Sequence, residues 1–232
     1  MNIGIIGAME EEVTCIKEKM NVISSRKICN IDFYIGTFSG SPNSVFLARS
    51  GMGKVNAAIC TQILIDMMAV DAVINTGVAG SMRNDIHIGD IVISKNTRYH
   101  DFDTTEIGDE PGIISRMDTS IFEGDPTLIA TAQKVAAELG VQNFTGLIVS
   151  GDQFVANGEH KKAICDFYAP LCCDMESAAI GHTCYLNNVP FVNIRAISDN
   201  AEDNAVVDYP TFFASMAEIA GNIVEKISCS IA

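Results

Sequence analysis

The stretch from residue 171 to 200, LCCDMESAAIGHTCYLNNVPFVNIRAISDN, constrains the chain more than any other. An apolar run, Leu171-Cys172-Cys173, ends in Asp174-Met175-Glu176. The composition then turns helix-forming over residues 177–186, and Asn187-Asn188 with Pro190 behind them supplies a stop. Phe191-Val192-Asn193-Ile194 reads as a second strand that closes on Arg195-Ala196-Ile197-Ser198-Asp199. Such a strand–helix–strand unit predicts two parallel strands joined by a right-handed crossover. Glu176 and Asp199 then fall near the carboxyl ends of strands in one sheet, the edge at which open α/β sheets hold their ligands. A carboxylate pair there, backed by Arg195, is a candidate site.

The rest of the chain offers more strands ending in small or polar residues. Asn2-Ile3-Gly4-Ile5-Ile6-Gly7 is a short buried strand. After Ala8-Met9 a helix begins with Glu10, Glu11 and Glu12 in its first turn, where acids complement the helix macrodipole. Residues 31–37 and 44–48 form a hairpin around Gly40-Ser41-Pro42-Asn43. Arg49-Ser50-Gly51-Met52-Gly53-Lys54 leads into a helix over residues 55–68, and Val55 after Lys54 rules out a P-loop. Residues 71–75 are a strand ending in Thr76-Gly77-Val78-Ala79-Gly80-Ser81, small enough for a flat ligand to approach the main chain. A strand at residues 89–94 is followed by an irregular region, residues 99–125, whose length suggests an interface or a site rim. A helix over residues 126–139 precedes the strand at 146–150, which runs into Gly151-Asp152-Gln153-Phe154-Val155. The final helix, residues 211–228, carries Phe212, Met216, Ile219, Ile223, Val224 and Ile227 on one core-facing stripe. No repeat or linker interrupts the chain, so residues 1–232 read as a single domain.

A formal charge of -14 disfavours nucleic acid and anionic membrane surfaces. No apolar run approaches the ~20 residues of a membrane span. The apolar opening is cut short by the glutamates, unlike a signal peptide, so a cytoplasmic location is expected. The cysteines contain no C-x-x-C pair and read as free buried thiols, with no metal and no cofactor indicated. No serine or cysteine nucleophile with a paired histidine is evident. Carboxylates acting alone suit cleavage of a bond to a sugar anomeric carbon, where one acid protonates the leaving group and one base activates water.

The segments GIIGAMEEEV, SGMGKVNAA, NTGVAG, GDIVIS, GLIVSGDQF, DMESAAI and VPFVNIRAISDNA, in this order over nearly the whole chain, resemble the 5'-methylthioadenosine/S-adenosylhomocysteine nucleosidases of the purine nucleoside phosphorylase superfamily. The resemblance implies a three-layer α/β/α domain with a mixed, mostly parallel twisted sheet. It implies Glu12 as the base that activates water and Asp199 as the acid that protonates adenine at N7, oriented by Ser198. It gives Glu176 the ribose hydroxyls and the positive charge on the sugar, Met175 the ribose, and Arg195 the water site. Phe154 and Val155 would frame adenine, and Met9 and Tyr209 would line an apolar 5'-thio pocket. Ser50 and the Val78-Ala79-Gly80 run complete the expected substrate-binding set. A homodimer is implied, with part of residues 99–125 completing the partner's pocket, and a small nucleoside as substrate.

Two positions depart from the family. Val78 replaces the serine of N-T-G-S-A-G, and Ala156 is an extra residue before Asn157-Gly158. On the roles assigned, Glu12 and Asp199 need separated pKa values, and Arg195 should lie nearer the base than the acid. Three alternatives stay open: a phosphorylase of the same superfamily, a nucleosidase preferring 5'-deoxyadenosine or aminodeoxyfutalosine, and a nucleoside sensor without turnover. A phosphorylase needs a cationic phosphate site, for which Arg49, Arg83 and Arg195 are the strand-end candidates, and Glu12 opposes an approaching anion.

Overall fold

The computed structural model describes residues 1–201 and 205–231, with the backbone alone at residues 206–211. Strand β1 (Asn2–Gly7) leads into helix α1 (Glu10–Lys19), and β2 (Met20–Ile28), β3 (Ile31–Phe38) and β4 (Ser44–Arg49) follow as an antiparallel meander. Helix α2 (Lys54–Met68) then precedes β5 (Ala72–Ser81), every residue of which is buried. β6 (Ile91–Tyr99) is followed by a largely irregular region containing a 3-10 turn and the two-residue β7 (Phe122–Glu123). Helix α3 (Pro126–Glu138) starts where Asp125 accepts hydrogen bonds from the Thr127 and Leu128 N–H groups and Pro126 pre-sets the first turn. The chain closes with β8 (Asn143–Ser150), α4 (Gly158–Tyr168), β9 (Cys172–Asp174), α5 (Ser177–Asn187), β10 (Phe191–Asp199) and α6 (Ala205–Ser230).

The sheet order is β10-β6-β8-β9-β5-β1-β4-β3-β2, and β10 also pairs with β5. Five strands therefore close into a ring, from which β1, β4, β3 and β2 continue as an open arm. This corrects the parallel pairing expected within residues 171–200. β10 runs parallel to β5 on one edge and antiparallel to β6 on the other, so no edge is left for β9. β9 instead pairs antiparallel with Gly80 and Ser81 of β5 and parallel with β8. On the same strand, residues 72–75 of β5 are paired with β1. β5 pairs with β10 from Val73 to Gly80, so this ladder continues past Asn75 through the small residues Gly77 and Ala79.

Alternation along the strands divides the core into two faces. Ile3, Ile5, Ile74, Val192 and Ile194 pack with Val13, Ile16, Val135, Phe213 and Ile223 of α1, α3 and α6. Ile6, Val73 and Phe191 pack with Leu64, Ala178 and Ile180 of α2 and α5. The result is a three-layer α/β/α arrangement around a mixed sheet. α1 and α6 approach closely because residue 221 is glycine, where a β-carbon would strike the Cys15 Sγ. Among the described residues no helix is long and apolar enough to cross a membrane.

Candidate active site

The ring and the arm meet at β5, and the ends of β1, β5, β9 and β10 there enclose a cleft that opens to solvent. Its walls include Met9, Glu12, Val78, Ala79, Gly80, Phe154, Val155, Met175, Glu176, Ser198 and Asp199. These come from segments far apart in sequence and are brought together by the strand pairings.

Glu12 stands in the first turn of α1 and is 1 % exposed. Its Oε2 accepts hydrogen bonds from the N–H groups of Ala8 (2.6 Å) and Met9 (3.0 Å), and its Oε1 accepts one from Val78 N–H at 3.2 Å. Burial raises its pKa, opposed by the Arg195 charge and by those three donors. The valine at position 78 therefore serves Glu12 through its main chain, which a serine would supply equally.

Arg195 lies behind the cleft, on β10, with its side chain 1 % exposed. Its Nε is 2.7 Å from Asp174 Oδ2, and its Nη2 is 3.6 Å from Glu176 Oε2. Burial would drive the proton off Arg195, but Asp174, Glu176 and Glu12 outweigh it and raise its pKa. A β-carbon at Gly77 would strike Arg195 Nη1 and come within 2.7 Å of Glu12 Oε1, so glycine at this position lets the cation and the base share one space.

Asp174 is the organiser that the sequence reading left out of the site. Its carboxylate accepts from Ser150 Oγ at 2.5 Å, from Ser177 Oγ, and from the N–H groups of Glu176 (3.3 Å) and Ser177 (3.2 Å). It thereby takes up the N–H groups at the entry to α5 and fixes Arg195 at once. Glu176, just before that helix, accepts at Oε1 from Gly53 N–H at 2.9 Å. Burial pushes its pKa up to about 7, against the pull of Arg195 and with added repulsion from Asp174 and Glu12.

Asp199 ends β10 where the ladder to β5 shifts register between Ile197 and Asp199. Neighbouring strand residues ordinarily face opposite sides; the irregularity lets Ser198 and Asp199 both line the cleft. Ser198 Oγ donates to Asp199 Oδ2 at 2.9 Å, and Ala201 N–H donates to Oδ1 at 2.8 Å.

Two loops over the cleft are latched together. Lys54 Nζ is 2.6 Å from Asp101 Oδ2, which also accepts from Asp152 N–H at 2.8 Å. Lys54 N–H donates in turn to Asp152 Oδ1 at 2.8 Å. The latch joins Met52 and Gly53 to Gln153, Phe154 and Val155. Gly53 has φ +92°, a left-handed conformation that suits glycine and turns its N–H toward Glu176. Val155 is buried and Phe154 half exposed, and Ala156 is taken up before Asn157, which caps α4.

Ser50 is not in the cleft wall; it is buried beneath, with its Oγ donating to the Gly51 carbonyl at 2.9 Å. The Tyr209 side chain lies outside the described residues. Met52, Gln153, Cys173 and Asp174 line the cleft without having been singled out as site residues. The sequence signal for Asp174 was its place at a strand end, two residues before Glu176. Among the described residues of the wall there is no lysine or arginine.

Residues 2–228 match the phosphorylase superfamily. A 5'-methylthioadenosine/S-adenosylhomocysteine nucleosidase of Shewanella piezotolerans is 44% identical over 214 residues, covering 91% of this chain and 92% of its own. The crystal structure of the Neisseria meningitidis nucleosidase of the same name, in complex with methylthio-immucillin-A, is similar with a TM-score of 0.95 at 36% identity, covering 99% of both chains. A futalosine hydrolase of Helicobacter pylori is similar with a TM-score of 0.93 at 30% identity, over 98% of this chain and 97% of its own.

Proposed function

This chain belongs to the phosphorylase superfamily, and on that premise we propose that it hydrolyses the N-glycosidic bond of 5'-methylthioadenosine and S-adenosylhomocysteine, releasing adenine and the 5-thioribose. As the C1'–N9 bond breaks, Asp199 gives its proton to adenine N7, so the base leaves neutral. Glu176 binds the ribose hydroxyls and stabilises the positive charge that develops on the sugar. Glu12 takes a proton from water as the oxygen adds to C1'. A buried carboxylate with a raised pKa is the stronger base for that step. Arg195 counters the negative charge of Glu12 and Glu176 while Asp174 fixes its position.

The observation that carries this reading is a cleft walled by Glu12, Asp174, Glu176 and Asp199 with no lysine or arginine among its described residues. Water is at home there and a phosphate dianion is not. A second reading keeps the chemistry and changes the 5' substituent; the likeness to the Helicobacter pylori futalosine hydrolase favours it. Adenine release from 5'-methylthioadenosine, S-adenosylhomocysteine, 5'-deoxyadenosine and aminodeoxyfutalosine, without phosphate, decides between them. The first two should be turned over with the higher kcat/KM; preference for aminodeoxyfutalosine selects the second reading, and no release from any of them leaves a binding protein.

The same reading includes a homodimer. Val55 and Leu186 are 68% and 63% exposed on α2 and α5, and Val55, Ala58, Phe102 and Leu186 line one apolar groove. Large exposed apolar side chains grouped in this way suit a second copy of the chain. Phe102 lies in the irregular region after β6 that was expected to complete a neighbour's pocket.

A further inference from the structure

Helix α4 contributes no residue to the cleft wall, yet it reaches the end of β10 through a buried cation. Lys161 is 9% exposed, and its Nζ donates a 2.7 Å hydrogen bond to the carbonyl of Asn200. Asn200 joins Asp199 to Ala201, whose N–H returns to Asp199 Oδ1 at 2.8 Å. Ala201 achieves this at φ 52°, a left-handed backbone that a β-carbon disfavours. The turn is tightly enclosed: a β-carbon at Gly80 would lie 2.8 Å from Ala201 Cβ and 2.9 Å from Asp199 Oδ1. A disfavoured turn persists only where its surroundings hold it.

We propose that Lys161 is a positioning residue for the acid: its ammonium pins the Asn200 carbonyl, holds the turn through Ala201, and so aims the Asp199 carboxyl at the departing purine. This rests on the reading of Asp199 as the proton donor. Lys161 is not in the cleft wall, so any effect it has on Asp199 must pass through the turn. Its loss should therefore impair departure of a base that needs a proton and spare departure of one that does not. A lysine that merely docks α4 would, on removal, disturb both alike.

The test compares 5'-methylthioadenosine with the p-nitrophenyl 5-methylthioriboside, which share a sugar; nitrophenolate leaves without protonation. Lys161→Met keeps the side-chain stem and removes the donor. Its kcat on 5'-methylthioadenosine should fall by about 10–100-fold, the scale of a misplaced catalytic group, with the nitrophenyl substrate within about threefold of the unaltered protein. Lys161→Arg, which keeps a cationic donor, should retain activity on both substrates, and it also serves if the methionine variant fails to fold. Asp199→Asn, measured beside them, should show the same selectivity in stronger form. If Asp199→Asn is selective and Lys161→Met affects both substrates equally or neither, the positioning role is overturned and the acid stands. If Asp199→Asn itself loses both activities equally, the acid reading falls and the role of Lys161 falls with it.

Discussion

Glu12 and Glu176 are both carboxylates that burial makes reluctant to ionise, and each is held by main-chain N–H groups that favour the ionised form. Replacing Glu12 by Gln keeps the shape and leaves one oxygen to accept from Ala8 and Met9 N–H, but it removes the proton acceptor and the acceptor for Val78 N–H. Turnover should fall by ~10²–10⁴-fold, the usual range for a general base, while substrate still binds; near-normal turnover would return Glu12 to the helix-dipole role of its neighbours. For Glu176 the linkage sign follows from the upward shift. The folded state binds a proton more tightly than the unfolded state, so stability rises as pH falls and is lost as pH climbs from about 4.5 through about 7. Glu176→Gln removes that titration and should raise Tm relative to the unaltered protein more at pH 8 than at pH 5. A Tm difference independent of pH would mean that the buried carboxylate is not the source. That Glu12, Glu176 and Asp199 meet in one cleft was legible in sequence, because they sit in motifs with strong local signatures. Asp174 was not, since its importance lies in bonds to Ser150 and Arg195 that only the folded chain creates.

At the level of elements, strands and helices with a buried face were readable and those without one were not. β2 is exposed at every position from Asn21 to Lys27, so it buries no face there. α4 buries only Lys161 and Ile164 along its length, too little to announce a helix. The antiparallel sense of β9 was hidden for another reason: it depends on which edges of β5 and β10 are already occupied. The loop latch is equally non-local, with Lys54, Asp101 and Asp152 drawn from three segments. A partly buried charge-assisted bond of this kind contributes about 1.5–3 kcal/mol. Asp101→Asn should therefore loosen the Phe154–Val155 side of the cleft and raise KM on the order of tenfold, with a smaller change in kcat. A fall in kcat at constant KM would show that the latch does not govern substrate binding.

For the whole molecule, the closed five-strand ring and its open arm set one cleft at their junction, and the apolar groove beside α2 and α5 lies outside it. If a second copy covers that groove, specific activity should decline on dilution together with the dimer population seen by light scattering; constant activity in a monomeric sample would contradict the assembly. The central claim is that this cleft delivers water, and not phosphate, to the sugar. The most direct measurement turns over 5'-methylthioadenosine in phosphate buffer, with phosphorus NMR watching for a sugar phosphate while adenine is counted by absorbance. The account predicts that adenine accumulates with free 5-methylthioribose and that no sugar 1-phosphate signal appears. A sugar 1-phosphate formed in step with adenine would contradict it.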